Sequence, residues 1–182
     1  SYCATCDGPF FKDKVVTVIG GGDTAVEEGL YLTKHAKKVY IMHRRDKLRA
    51  VQILRERAKN NPKIEFIWSS EPKEFLGDKK IEKIRYFNKK EEKEKEVETD
   101  GIFVYIGYIP NSGFLRKSGI GLEYDKESGY LKVNPDNSTN LKGIYASGDV
   151  VKKPLYQVAT AVGDGANAAF NLQRYLEEEF HE

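Results

Sequence analysis

Cys3-Ala-Thr-Cys6, followed directly by Asp7, is the stretch of this chain best suited to chemistry. The chain has two cysteines in all, so they pair with each other or with a partner molecule. A two-residue spacer lets both sulfurs sit on one turn, where a disulfide opens and closes with little backbone movement. The thiolate is the reactive form, and an adjacent acid such as Asp7 can manage its proton. One competing reading is half of a zinc site, which needs four Cys or His ligands. The remaining candidates, His35, His43 and His181, have no ligand-like spacing. The other is a pair of inert buried thiols. The spacing favours redox chemistry over both.

A second motif begins nine residues after Cys6. Val15–Ile19 is a short β-branched run of the kind that forms a buried parallel strand. Gly20-Gly21-Gly22-Asp23-Thr24-Ala25 then reads as G-x-G-x-x-A. In such a turn the first glycine permits the bend and the second lets the backbone approach a pyrophosphate. The final small residue keeps the helix close to the strand. A helix is expected from about Thr24 to Thr33, its first N–H groups directed at phosphate. A glycine-rich turn alone is weak, but strand, turn, helix and a further strand at Val39–Met42 occur here in the right order.

The end of that further strand bears on which dinucleotide would fit. An NAD site places an acid there to hold the ribose hydroxyls. This chain has His43-Arg44-Arg45 instead, with Arg49 one turn on. Arginines grip phosphate in bidentate fashion, which favours NADP(H). The bland alternative is a solvated charge cluster opening a helix over Asp46–Lys59. Basic residues at that helix start would oppose its dipole, which argues for another role.

The elements that must position these residues follow from hydrophobic patterning. After the helix ending at Asn60-Asn61-Pro62, a strand is expected at Ile64–Trp68. Glu71–Leu76, Lys80–Asn88 and Lys93–Thr99 read as a small antiparallel meander, the charged tract Lys89–Glu98 being a solvated hairpin. Ile102–Gly107 is another buried strand, and a domain boundary is placed near 107–110, dividing the chain into 1–107 and 108–182. Beyond it, strands are expected at Gly129–Val133 and Gly143–Ser147, then a closing helix from about Gln157 to Leu176, rich in small residues. The fold class is α/β, with a Rossmann-like dinucleotide-binding domain followed by part of a second one.

Composition agrees. At 182 residues, 40% hydrophobic and 32% charged, the chain can bury a core and has a globular rather than disordered profile. A net charge of +2 gives no nucleic-acid or membrane footprint. No apolar run reaches the ~20 residues of a membrane span, and no signal peptide is visible, so a soluble cytoplasmic protein is expected.

Five motifs in order then carry a resemblance: Ser1-Tyr2-Cys3-Ala4-Thr5-Cys6-Asp7-Gly8, Gly20–Glu28, His43-Arg44-Arg45-Asp46, Gly143–Asp149 and Gln157–Ala161. Together they resemble the low-molecular-weight thioredoxin reductases, over essentially the whole chain. The resemblance implies that Gly20, Gly22, Asp23 and Thr24 cradle the NADPH pyrophosphate. It implies that His43, Arg44, Arg45 and Arg49 surround the 2′-phosphate. Cys6 would face the flavin, Cys3 would attack the thioredoxin disulfide, and Asp7 would serve as acid/base. Asp149, Gln157 and Val158 would contact FAD. Electrons would pass from NADPH to FAD, to Cys3–Cys6 and on to thioredoxin or a similar small disulfide protein, in a homodimer.

Two departures stand out. Tyr156 occupies the position where an Arg usually precedes the Gln. The family also carries a separate glycine turn for FAD ahead of the Cys motif. The chain is therefore read as the C-terminal portion of a longer reductase. Its flavin binding is expected to be impaired, and the edge of the 143–147 strand to be unpaired. Alternatives are a non-catalytic NADPH-sensing module, or a reductase of another disulfide protein, such as one in a peroxiredoxin system. Cys3-Ala-Thr-Cys6-Asp7 with Asp149 and Gln157 argues against the sensor, and the arginines argue against a ferredoxin-dependent enzyme.

Overall fold

The computed structural model describes residues 1–180, and His181 lies outside them. The chain divides into two compact units, Ser1–Gly107 and a second beginning at Tyr108.

The first unit opens with a single helical turn, α1 (Ala4–Asp7), continued by a 3₁₀ turn over Gly8–Phe11. Cys3 is its N-cap, the sulfur accepting the Cys6 N–H at 3.1 Å. β1 (Val15–Gly20) follows, then α2 (Asp23–Leu32), β2 (Lys38–Met42), α3 (Gln52–Lys59) and β3 (Ile64–Ile67). The meander is β4 (Ser70–Leu76), β5 (Lys83–Asn88) and β6 (Lys93–Glu98), and β7 (Gly101–Tyr105) returns to the main sheet.

β1, β2, β3 and β7 form a parallel sheet in the order β3-β2-β1-β7. Both faces of β1 are covered, which is why its residues are apolar without alternation. Val16, Val18, Val39, Ile41 and Phe103 are fully buried across three neighbouring strands. Thr17, also fully buried, is satisfied by its hydroxyl bond to Thr99 at 3.1 Å. α2 lays Ala25, Val26, Gly29 and Leu32 on the sheet, the spacing of one helical face. A Cβ on Gly29 would meet Ile41 Cδ1 at 3.2 Å, so the glycine sets how close the helix lies.

The meander is a separate antiparallel sheet ordered β4-β5-β6. Its apolar side buries Ile84 and Tyr86 with Met42. Its outer side carries exposed cross-strand pairs, Lys83–Glu96 at 2.9 Å and Arg85–Glu74 at 2.6 Å. Such pairs contribute ~0–1 kcal/mol each, so Ile84, not the charge ladder, holds this sheet down.

The structure corrects one helix in this unit. Residues 46–51 are not helical, and α3 begins only at Gln52. The Arg49 and Ala50 amides both donate to the Gly21 carbonyl, at 2.7 and 3.2 Å, and the Val51 amide to Asp23 Oδ1 at 2.7 Å. Amides committed to those partners cannot build a helical ladder. The dipole argument for the arginines therefore lapses, because they do not open a helix.

The second unit contains α4 (Gly113–Ser118), a 3₁₀ turn over Gly148–Val150, and α5 (Val158–Phe180). The expected strands at Gly129–Val133 and Gly143–Ser147 are not formed. Among the described residues these segments make only isolated bridges, Tyr124 to Leu131, Leu131 to Val151 and Ser138 to Tyr145. A strand exists only where a neighbour supplies a continuous ladder, and here turns intervene after one bridge each. With no strand at 143–147, the expected unpaired edge falls away too. α5 buries Ala168 alone, while Val158, Val162, Phe170, Leu176 and Phe180 are exposed.

Candidate redox and nucleotide-binding site

Cys3 and Cys6 are joined in a disulfide, Cys3 half-buried and Cys6 exposed. The Asp7 amide donates to the Cys3 carbonyl at 3.1 Å, so the acid completes the turn that carries both sulfurs. Two contacts fix this turn on the first unit. The Val104 amide donates to the Ser1 carbonyl at 2.9 Å, which lays the preceding backbone along β7. From α2, Glu28 Oε2 accepts the Ala4 amide at 3.0 Å and the Tyr105 hydroxyl at 3.2 Å. Sequence reasoning gave Glu28 no role. Its signal was a carboxylate three residues after Ala25 and four before Leu32, on the face of α2 that faces inward.

The glycine turn lies at the carboxyl end of β1. Gly20 has φ +151°, and a Cβ there would collide with the Tyr105 carbonyl and lie 2.7 Å from Ala25 Cβ. Gly20 and Ala25 are thus small for one shared reason, the tight strand-to-helix crossing. Gly22 is the N-cap of α2 with no side-chain cap, which leaves the first amides of a ten-residue helix for an outside acceptor. Thr24 is exposed in that first turn. Asp23 turns its carboxylate to the Val51 amide, so its visible work is to tie the next loop to the glycine turn.

That loop carries the basic residues. Arg45, Lys47, Arg49 and Arg55, with Asp46, Leu48 and Ala50, line a cavity of about 570 Å³. Lys47 and Arg55 were not foreseen, since Arg55 lies on α3 and joins the others only through the fold. Arg44 is exposed and does not line the cavity; its charge helps hold the Glu71 carboxyl below its usual range, after the stronger effect of the Lys89 bond to Glu71. His43 is 5% exposed and lies beneath Gly21, where any Cβ would clash with the imidazole ring at Nδ1. Its Nε2 has no hydrogen-bond partner. Burial, and then the charges of Arg49, Arg45 and Arg44, push the imidazole pKa down. His43 is therefore a neutral ring under the turn rather than a further phosphate-gripping cation.

In the second unit, the Gly148 amide donates to Asp164 of α5 at 3.2 Å, which sets the 3₁₀ turn carrying Asp149 against that helix. Asp149 is exposed, 3.9 Å from Lys153 Nζ; the same ammonium bonds Asp164 at 2.6 Å. The Gln157 amide donates to Thr160 Oγ1 at 3.1 Å, and Val158, the first residue of α5, is 81% exposed. Asp149, Gln157 and Val158 are thus grouped around the start of one helix. Tyr156 packs its ring on Tyr130, with centroids 5.0 Å apart. Burial, and then Tyr156, push the Tyr130 hydroxyl up to about 12. Among the described residues, no His, Cys, Asp and Glu cluster suits a metal ion, and no helix is long and apolar enough to cross a membrane.

A family profile described as pyridine nucleotide-disulphide oxidoreductase matches residues 1–165. The thioredoxin reductase of Listeria innocua serovar 6a is 48% identical over 179 residues, covering 98% of this chain and 55% of that protein. That of Bacillus subtilis is 47% identical over 179 residues, with the same coverage of 98% and 55%. The crystal structure of thioredoxin reductase from Streptococcus pyogenes MGAS5005 superposes with a TM-score of 0.88 at 44% identity, covering 98% of this chain and 57% of that one. The chain spans about half the length of the curated relatives it matches.

Proposed function

The chain belongs to the pyridine nucleotide-disulphide oxidoreductase family, and we propose that it carries the NADPH site and the redox-active disulfide of a thioredoxin reductase. Residues 1–107 form the NADPH-binding domain, and 108–182 supply one part of an FAD-binding domain. The observation that carries the reading is the Cys3–Cys6 disulfide in the same unit as a glycine turn and an arginine-lined cavity.

The residues fit both cofactors. A Cβ at Gly20 would fill the strand-to-helix crossing and one at Gly21 would press on the His43 ring, so both positions of the turn need the bare backbone that a pyrophosphate site also uses. Gly20, Gly22 and Thr24 hold the pyrophosphate at the start of α2, with Asp23 fixing the loop beside it. Arg45 and Arg49 hold the 2′-phosphate, with Arg44 beside them and His43 supporting the turn from below. Asp149, Gln157 and Val158 offer a polar and an apolar contact at the exposed start of α5, as a flavin edge requires. The chemistry these cofactors supply when bound is hydride donation by the nicotinamide and its conversion by the flavin into an electron pair that a disulfide can accept.

This chain's residues do the rest. Two electrons and two protons convert the Cys3–Cys6 disulfide to a dithiol, with Asp7 holding a proton beside Cys6. The Cys3 thiolate attacks the disulfide of thioredoxin and releases one of its sulfurs as a thiol. The Cys6 thiolate then displaces the second sulfur, which restores the Cys3–Cys6 bond and frees the reduced partner. A disulfide that cycles in this way suits a cytoplasmic enzyme, and a homodimer is the proposed assembly.

The test is a titration of the chain with NADPH and NADH, followed by mixing the dithiothreitol-reduced chain with oxidised thioredoxin. NADPH binding at least tenfold tighter than NADH, with release of reduced thioredoxin abolished by Cys6→Ser, is the expected result. Equal affinity for both nucleotides would reject the assignment.

A further inference from the structure

We propose that Glu28 is a positioning residue for the Cys3–Cys6 pair, acting through the first peptide N–H of the helix that carries it. The proposal rests on the redox reading of that disulfide. α1 is a single turn of four residues, too short to persist on its own. Its internal bonds, Cys6 N–H to Cys3 Sγ, Asp7 N–H to the Cys3 carbonyl and Gly8 N–H to the Ala4 carbonyl, depend on Cys3 and Ala4 staying in place. Ala4, the next residue, is fully buried, and its amide donates to Glu28 Oε2 at 3.0 Å. The same oxygen accepts the Tyr105 hydroxyl at 3.2 Å, and Tyr105 is itself buried at the end of β7.

A carboxylate at the start of a helix makes a strong, charge-assisted bond to an amide with no other acceptor. Glu28 stands on a helix packed on the sheet, and its oxygen is held from a second side by Tyr105. The clamp therefore fixes the backbone beside Cys3 to two rigid elements at once. Its value appears when the disulfide opens. In the oxidised chain the S–S bond itself helps hold the turn; in the dithiol the turn rests on its peptide hydrogen bonds, the Val104–Ser1 bond and this clamp. Loosening it gives the dithiol conformational freedom that the disulfide cannot share, and so favours the reduced form.

The experiment equilibrates the full chain with glutathione: protein disulfide plus two reduced glutathiones against protein dithiol plus one oxidised glutathione. The dithiol fraction is read by alkylation and mass spectrometry in the wild type, Glu28→Ala and Glu28→Gln. Glu28→Ala is expected to shift the equilibrium towards dithiol by about tenfold, the size of one lost charge-assisted hydrogen bond. Glu28→Gln keeps an acceptor oxygen and is expected to stay within about threefold of wild type, the margin of a neutral bond for a charged one. NADPH affinity should be unchanged in both. If Glu28→Ala does not fold, Glu28→Asp carries the test, its shorter side chain retreating from Ala4 with the same expected shift. An unmoved equilibrium in Glu28→Ala, or a Glu28→Gln protein displaced as far as Glu28→Ala, would overturn the proposal. A wild-type disulfide that never exchanges with glutathione would overturn the redox reading as well, and the wild-type arm alone reveals it.

Discussion

The Arg49 amide donates to the Gly21 carbonyl at 2.7 Å, which ties the basic loop after β2 to the glycine turn after β1. The loop is held on its other side as well, by bonds from the Ser69 amide to the Arg45 carbonyl and from the Ser70 amide to the His43 carbonyl, both at 3.0 Å. The meander thus has a use beyond its own small core: its first residues brace the segment that carries the arginines. Cations on a loop tied at both flanks lose little freedom when an anion arrives, which is where binding energy is otherwise spent.

Asp23→Ala tests this bracing directly. The Val51 amide loses its acceptor at 2.7 Å, and a lost charge-assisted bond of this kind costs ~1.5–3 kcal/mol. NADPH affinity should fall about tenfold and Tm by a few degrees, with Asp23→Asn recovering most of both. Calorimetric titration beside a thermal melt separates the two effects. Unchanged NADPH affinity in Asp23→Ala would show that the loop needs no tether.

Neutralising the cavity one cation at a time should leave a graded mark. Arg45→Gln, Arg49→Gln and Arg55→Gln each remove a charge from the same cavity lining. Each should weaken NADPH about five- to twentyfold and leave NADH within about twofold, since only NADPH carries the extra phosphate for a bidentate guanidinium. Raising the salt concentration should close the gap between the two nucleotides. Arg44→Gln is the contrasting case, with a smaller expected effect because Arg44 does not line the cavity.

Gly20→Ala and Gly21→Ala should fail for different reasons. At Gly20 the added methyl meets the Tyr105 carbonyl at a backbone conformation of φ +151°. Strain of that kind with a backbone clash costs ~2–4 kcal/mol, and chemical denaturation should report it as lower stability. At Gly21 the methyl would press on the His43 ring at its Nδ1. The ring has to move, so nucleotide binding should fall further than stability does. Equal stability of Gly20→Ala and wild type would remove the stated reason for glycine at that position.

Cys3 and Cys6, Gly20 and the Arg45 cluster were legible because each depends on local spacing. The parallel sheet was legible because β1 is buried on both faces, and β2 and β7 bury one face and half-bury the other, so all three read as near-continuous apolar runs. The start of α3 was not, because residues 46–51 have a helix-compatible pattern and lose their amides to Gly21 and Asp23, more than twenty residues upstream. The strands expected at 129–133 and 143–147 were not, because apolar β-branched segments become strands only when a partner ladder is present. Glu28 and Arg55 lay beyond reach for a related reason: one works on Ala4 and the other joins Arg45 and Arg49, and both neighbours come from the fold.

His43 makes the pH dependence of this unit predictable. Burial, and then Arg49, Arg45 and Arg44, hold its folded-state pKa below the ordinary value, which is about 6.5 in an unfolded chain. On acidification the unfolded state therefore takes up this proton before the folded state does. Stability should be flat in pH above the unfolded value, then decline as pH falls through 6.5 (about the unfolded-state value) towards the lower folded-state pKa. His43→Gln should remove that decline, whatever it costs in packing, because a glutamine has no proton to take up in this range. Denaturant midpoints between roughly pH 5 and 8, where histidine titrates, give the slope for each protein, and the difference between the two slopes isolates His43. Parallel slopes would mean that the imidazole is not held neutral beneath Gly21, and that its unpartnered Nε2 has found an acceptor when charged.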